Sequence, residues 1–247
     1  MNRKWRIGAV SYLNTRPLLF GLEQSDLMSE IELVKAYPAK IAQDLMDGTI
    51  DMGLVPVAVT PLLKEAHFVS NYCIGATGPV ASVCIFSDSP MDEIENVYLD
   101  YQSRTSVQLA SILLRDYWKK EVVFLKADKG YIQQIKGKTA GVIIGDRALA
   151  ARPHFKYIYD LSVAWNVFTK LPFVFATWIA NKPMPQHFME AFDKANAIGL
   201  NHINEVIATI PKTEQVYDLN TYYNQNISYH FDAEKRKGLE LFLSLLK

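Results

Sequence analysis

Short apolar runs alternate with stretches of helical spacing along most of this chain. Runs of apolar or alternating residues predict strands over 6–10, 32–37, 52–55, 80–86, 96–99, 122–125, 140–144, 157–159 and 173–180. Apolar positions three and four apart predict helices near 17–23, 39–47, 105–119, 130–135 and 146–151. Pro17 suits a first helical turn, where its missing N–H has no partner to lose. Beyond Pro185 the pattern becomes helical, over 188–204, 213–224 and 233–246. Neither a repeat nor a low-complexity linker interrupts it. Alternating strands and helices with apolar strands argue for an α/β fold with parallel-rich sheets, covered by helices on both faces. Sheets of this kind bind ligands beyond the carboxyl ends of their strands. Four turns lie there: Ser11 to Arg16, Pro56 with Val57, Gln102 to Ser106, and Gly145 to Arg147.

Composition narrows the partners. The 247 residues are 49% apolar and 21% charged, a balance suited to one large folded core or two modest ones. Lys plus Arg equals Asp plus Glu at 26 each, so no net field draws the chain to nucleic acid or an anionic membrane. Any bound anion must be held by local groups. Cys73 and Cys84 sit in apolar runs and could pair; two buried thiols in a reducing compartment is the preferred expectation. His67, His154, His187, His202 and His230 are scattered, so no metal site is expected. The basic start Arg3-Lys4 is followed by one short apolar run and then by polar Ser11, Tyr12 and Asn14. A secretory core needs roughly 7–15 apolar residues and a membrane span about 20, so a cytoplasmic location is expected. With no Walker motif, GxGxxG or paired-carboxylate signature, ATP, NAD and glycoside chemistry lack support, and no cofactor is expected.

The turns carry the candidate chemistry. Asp100-Tyr101-Gln102-Ser103-Arg104-Thr105-Ser106 follows a strand and opens a helix. Ser103 or Thr105 can cap it, and the free N–H groups of its first turn suit a carboxylate or phosphate. An ordinary capped helix with Arg104 in solvent fits the same residues. In Ser11-Tyr12-Leu13-Asn14-Thr15-Arg16, Asn14 can hydrogen-bond a hydroxyl or carboxylate and Thr15 can cap the next helix; a plain turn is the alternative. Ser82 places a hydroxyl in an apolar strand without a GxSxG elbow or triad partner, so acyl transfer is not expected. Gly145 permits a sharp turn or close ligand approach, and Asp146 fits a cleft wall or a helix cap equally well.

Taken in order, these stretches resemble the chorismate dehydratases of the futalosine route to menaquinone. The resemblance is carried by Ile7-Gly8-Ala9-Val10-Ser11-Tyr12-Leu13-Asn14-Thr15-Arg16-Pro17-Leu18 and Asp51-Met52-Gly53-Leu54-Val55-Pro56-Val57. It continues through Gly78-Pro79-Val80-Ala81-Ser82-Val83, Asp100 to Ser106, Ile144-Gly145-Asp146-Arg147-Ala148 and Asp160-Leu161. Trp165, Thr169, Leu171 to Trp178, Tyr223 to Tyr229 and Gly238 to Phe242 complete it, so it spans nearly the whole chain. A sister family, a dihydroxynaphthoate synthase, resembles Ser-Pro-Cys-Pro-Asn-Asp at the first turn, where this chain has Ser11-Tyr12-Leu13-Asn14-Thr15.

The resemblance implies an α/β, type 2 periplasmic-binding-protein-like fold with mixed, mostly parallel sheets. One lobe would comprise 1–86 with 178–247, the other 87–177, and a ligand cleft would lie between them. It implies conversion of chorismate to 3-[(1-carboxyvinyl)oxy]benzoate plus water, by a hydro-lyase of menaquinone biosynthesis. Asn14 and Ser82 would be catalytic. Ser11, Tyr12, Pro56, Val57, Ser103, Arg104, Thr105, Ser106, Gly145 and Asp146 would bind substrate. No His or Glu base stands in these motifs, so the proton acceptor is expected to be weak, or to be the substrate's own enolpyruvyl carboxylate. A non-catalytic binder of a small carboxylate, a ligand-sensing regulatory domain and the sister synthase are the rival readings. The oligomeric state is not legible in the sequence.

Overall fold

A computed structural model describes residues 3–246. Its elements begin with β1 (Trp5–Ala9), α1 (Arg16–Glu23), β2 (Ile31–Lys35), α2 (Pro38–Met46), β3 (Met52–Pro56) and β4 (His67–Ala76). Then come β5 (Val83–Ser87), β6 (Asn96–Leu99), α3 (Thr105–Ile112), β7 (Val123–Lys126), β8 (Thr139–Ile144), α4 (Gly145–Ala151) and β9 (Tyr157–Asp160). The chain ends with α5 (Leu161–Thr169), β10 (Phe173–Ala180), α6 (Gln186–Asn201), α7 (Ile203–Thr209), α8 (Leu219–Thr221), β11 (Ser228–His230) and α9 (Ala233–Leu245).

The strands form two sheets, ordered β11-β4-β10-β3-β1-β2 and β7-β6-β8-β5-β9. Each is mixed, as the resemblance implies. The expected parallel excess is not there. β1–β2, β1–β3, β6–β7 and β6–β8 are parallel, and the other five pairings are antiparallel. The reason is topological: the chain crosses between sheets twice, and β5 and β10 each enter the new sheet against their neighbours' direction.

The crossings also differ from the expected lobe limits. Boundaries at 86/87 and 177/178 would cut β5 and β10, whereas sheet membership puts the crossings at 77–82 and 161–172. Both β5 and β10 are buried almost throughout. A strand buried on both faces reads as apolar without revealing which sheet it joins.

The helices that cover the first sheet approach to backbone contact. A Cβ added to Gly199 of α6 would lie 1.7 Å from the Pro17 carbonyl oxygen of α1, and one on Gly21 would lie 2.0 Å from that of Ala195. Where the chain crosses back, Trp165 and Phe242 each meet Phe173 edge-on, at 5.3 and 5.0 Å between ring centroids. These three rings tie α5, β10 and α9 into one core. Cys73 and Cys84 are buried free thiols. Among the described residues, no helix is long and apolar enough to cross a membrane.

Candidate active site

The carboxyl end of β1 opens into a tight turn, Leu13–Thr15, because Pro17 starts α1 immediately afterwards. Thr15 is buried, and its hydroxyl donates to Asn14 Oδ1 at 3.0 Å. That bond orients the Asn14 amide and leaves its Nδ2 without a hydrogen-bond partner among the described residues. Behind the turn, Tyr229 Oη donates to the Asn14 carbonyl at 2.9 Å.

Ser82 sits just before β5, in the first crossing. Its N–H donates to the Val80 carbonyl at 2.7 Å, and Ala81 between them has φ +60°. This is a γ-turn of the rare, strained hand, and such strain persists only where the surroundings over-determine it. Here they do. The Asp160 carboxylate accepts the Ala81 N–H at 2.8 Å, and Arg152 Nη1 donates to the Ala81 carbonyl at 3.0 Å. The Gly145 N–H donates to the Ser82 carbonyl at 2.8 Å. The hydroxyl is therefore held at the mouth of β5 and not within a strand over 80–86, as the apolar run predicts.

At the start of α3, Ser103 Oγ accepts the Ser106 N–H at 2.9 Å, the cap expected of Ser103 or Thr105. The N–H groups of Arg104 and Thr105 have no acceptor among the described residues. Asp100 fixes this turn from below. It accepts from the Gln102 N–H at 2.8 Å, from Tyr131 Oη at 2.9 Å and from Arg147 Nη2 at 2.8 Å. Gln102 Oε1 in turn accepts from Arg147 Nη2 at 3.0 Å and from Tyr12 Oη at 2.5 Å.

These turns meet at a cleft between the two sheets. Tyr12, Asn14 and Pro56 line it from one side; Ser82, Gln102, Ser103, Thr105, Ser106 and Gly145 line it from the other. Leu54, Ile74, Val80, Val83, Ile144 and Phe175 supply apolar walls suited to a ring. Gly145, at φ +62°, is where Tyr12 comes close: an added Cβ would meet its ring at 3.3 Å. Bonds cross between the sides from Tyr12 Oη to Gln102, from the Leu13 N–H to Asp146 Oδ1 at 3.0 Å, and from the Ala58 N–H to Thr105 Oγ1 at 3.1 Å.

Four expected site residues are placed elsewhere. Ser11 is exposed and does not line the cleft. Val57 is fully buried in the core, because the backbone turns inward after Pro56. Arg104 lines an outer groove with Leu62, Leu243 and Leu246, since the helix start aims its side chain away from the cleft. Asp146 neither lines the cleft nor caps α4; its carboxylate reaches across to the Leu13 N–H. Gln102 is a lining residue to which sequence reasoning gave no role. Gln102 lay inside a quoted motif, but nothing local marks it as the group that Tyr12 and Arg147 share.

Among the described residues, no side chain that lines the cleft carries a formal charge at neutral pH. Tyr12 is the one titratable group on its walls, and burial pushes its phenol up to about 12, so it stays a hydrogen-bond donor. Donors, not fixed charges, face the cavity. Among the described residues, no group of three His, Cys, Asp or Glu side chains is placed to hold a metal ion.

Asp146 yields a pH prediction. Burial raises its carboxyl above the usual 3.8, against the lowering effects of the Leu13 N–H and Arg16. A raised carboxylate binds its proton more tightly when folded, so its contribution is full below 3.8 and declines as pH rises through the folded value. Asp146→Asn keeps an oxygen for the Leu13 N–H and cannot ionise. Urea midpoints measured from pH 3.5 to 7 are expected to fall less with rising pH in this variant than in the parent. Parallel curves would rule out a strained carboxylate.

Residues 5–247 match the family model described as menaquinone biosynthesis. This chain belongs to that family. A chorismate dehydratase of Thermus thermophilus is 26% identical, with 99% of this chain and 96% of the relative covered. One from Campylobacter jejuni is 25% identical, with 97% and 96% covered. Among solved structures, a Candida albicans protein described as having the generic periplasmic binding protein structural fold superposes with a TM-score of 0.67. It is 10% identical, with all of this chain and 92% of that one covered, and so bears on fold alone. The family member described here has that two-lobed, periplasmic-binding-protein-like fold.

Proposed function

We propose that this protein is a chorismate dehydratase, a hydro-lyase that releases 3-[(1-carboxyvinyl)oxy]benzoate and water in menaquinone biosynthesis. Family membership and the two relatives named as chorismate dehydratases support the reading. The observation that carries it is the cleft itself, where an Asn amide, a Ser hydroxyl and a free helix start converge around apolar walls without one ionised side chain.

Chorismate has two carboxylates, a ring hydroxyl and a diene one elimination short of aromaticity. Loss of a ring proton frees its C–H electron pair to form the last ring double bond. The neighbouring C–O bond breaks with its pair, and the departing oxygen leaves as water after taking up a proton. Because the benzene ring drives the reaction downhill, the protein has only to hold the anion, align these bonds and exclude bulk water.

The open N–H groups of Arg104 and Thr105, with Ser103 and Ser106, would take one carboxylate. Asn14 Nδ2 and Ser82 Oγ would hold the reacting edge, with Tyr12 closing over it. With Tyr12 held protonated and no carboxylate or imidazole among the described lining residues, the substrate's enolpyruvyl carboxylate would be the proton acceptor. Incubation of the purified protein with chorismate is expected to produce the aromatic ultraviolet absorbance of the product. Chorismate recovered unchanged would overturn the proposal, and binding without conversion would indicate a carboxylate binder.

A further inference from the structure

The phenol of Tyr222 makes a single hydrogen bond, and it ends on the candidate catalytic hydroxyl. Tyr222 is fully buried, and its Oη donates to Ser82 Oγ at 2.8 Å across 140 positions of sequence. The residue opens a π-helical turn, Tyr222–Asn226, a wide turn often found beside functional sites. Its ring is locked between Tyr217 and Tyr223, at 6.2 and 5.6 Å between centroids. Four residues on, Asn226 Nδ2 donates to the Pro79 carbonyl at 2.9 Å. One segment thus grips the Ser82 loop at both ends.

We infer that Tyr222 is the positioning residue of this site: its phenol occupies a lone pair of Ser82 Oγ and so aims the Ser82 hydrogen into the cleft. The alternative acceptor for that hydrogen, the Val80 carbonyl, is 3.4 Å away, too long for a good O–H···O bond. A hydroxyl that already accepts one hydrogen bond is also a better donor of another. Burial holds the phenol well above its ordinary value, so it stays protonated and serves as a fixed donor. In the dehydration, Ser82 would then present a hydrogen bond to the departing oxygen in a fixed direction, with no proton passing along the chain from Tyr222. The inference rests on the dehydratase reading proposed above.

Tyr222→Phe removes one oxygen and keeps the ring. Steady-state assays with chorismate are expected to show kcat lowered about tenfold to a hundredfold, as for a misaligned catalytic group, with KM within threefold. In a Ser82→Ala background the same change is expected to have less than a twofold effect, because no hydroxyl remains to aim. Tm of each variant is measured alongside, since a purely structural role would lower Tm and would act equally in both backgrounds. A kcat within twofold of the parent, or the same loss in both backgrounds, overturns the inference. Should the Phe variant fail to fold, Tyr222→Met is carried through the same two backgrounds with the same outcomes. If the parent protein itself leaves chorismate intact, it is the dehydratase reading that fails.

Discussion

Ser82→Ala is expected to slow dehydration of chorismate by about 10²–10³-fold, or roughly 2.7–4 kcal/mol of transition-state stabilisation. The estimate is that for a single preorganised donor facing developing charge in a site closed to water. Ser82 is placed to act as such a donor. It is 1% exposed, its backbone is fixed through Asp160, Arg152 and Gly145, and its hydroxyl faces a cleft without ionised side chains. Because the hydroxyl is small and its backbone unmoved, KM is expected to change by less than kcat. Stopped assays of aromatic product over a range of chorismate concentrations separate the two. A variant with the parent's kcat would remove Ser82 from the chemistry and leave it as part of the cleft wall.

The second large effect is on stability. Gly199→Ala is expected to cost about 3 kcal/mol, the upper end for overpacking, because the obstacle is backbone and has no rotamer to yield. Its added carbon would fall 1.7 Å from the Pro17 carbonyl oxygen, so α1 and α6 must separate. For a chain of this size that corresponds to a Tm drop of about 6–12 °C, readable by calorimetry. The turn that bears Asn14 runs directly into α1, so the shift is expected to lower activity too, even at temperatures where the variant is folded. A variant with unchanged Tm would mean that the two helices are less tightly apposed than described.

Much of this architecture was legible from periodicity. β6 and β10 occupy the residues their apolar runs predict, Asn96–Leu99 and Phe173–Ala180. β4 was not legible, because Ser70 and Asn71 interrupt its apolar run; in the fold both bind the Asp193 carboxylate. α5 was missed because Val163, Val167 and aromatic residues are poor helix formers, and it is Asp160 that starts it, by accepting the N–H groups of Ser162 and Val163. The helix expected over 213–224 resolves into short turns, including α8 and the π-helical turn that delivers Tyr222.

The cleft was legible to the extent that it is built from the ends of strands. Asn14, Pro56, Thr105 and Gly145 meet there, as the four turns suggested. Side-chain direction is what the pattern withheld. Val57 and Arg104 occupy the right turns yet face the core and an outer groove, and a polar residue in a turn carries no sign of which way the backbone will aim it. Tyr222 had no local signal either, because its meaning lies in a partner far along the chain.

That distance has a consequence for biogenesis. Asn14 and Ser82 are made early, but the phenols that brace them, from Tyr222 and Tyr229, come from a stretch translated much later. A nascent chain that has already built both sheets' central strands therefore still lacks the braces on Asn14 and Ser82. Competence waits on that later stretch, which must first dock against the crossing loop.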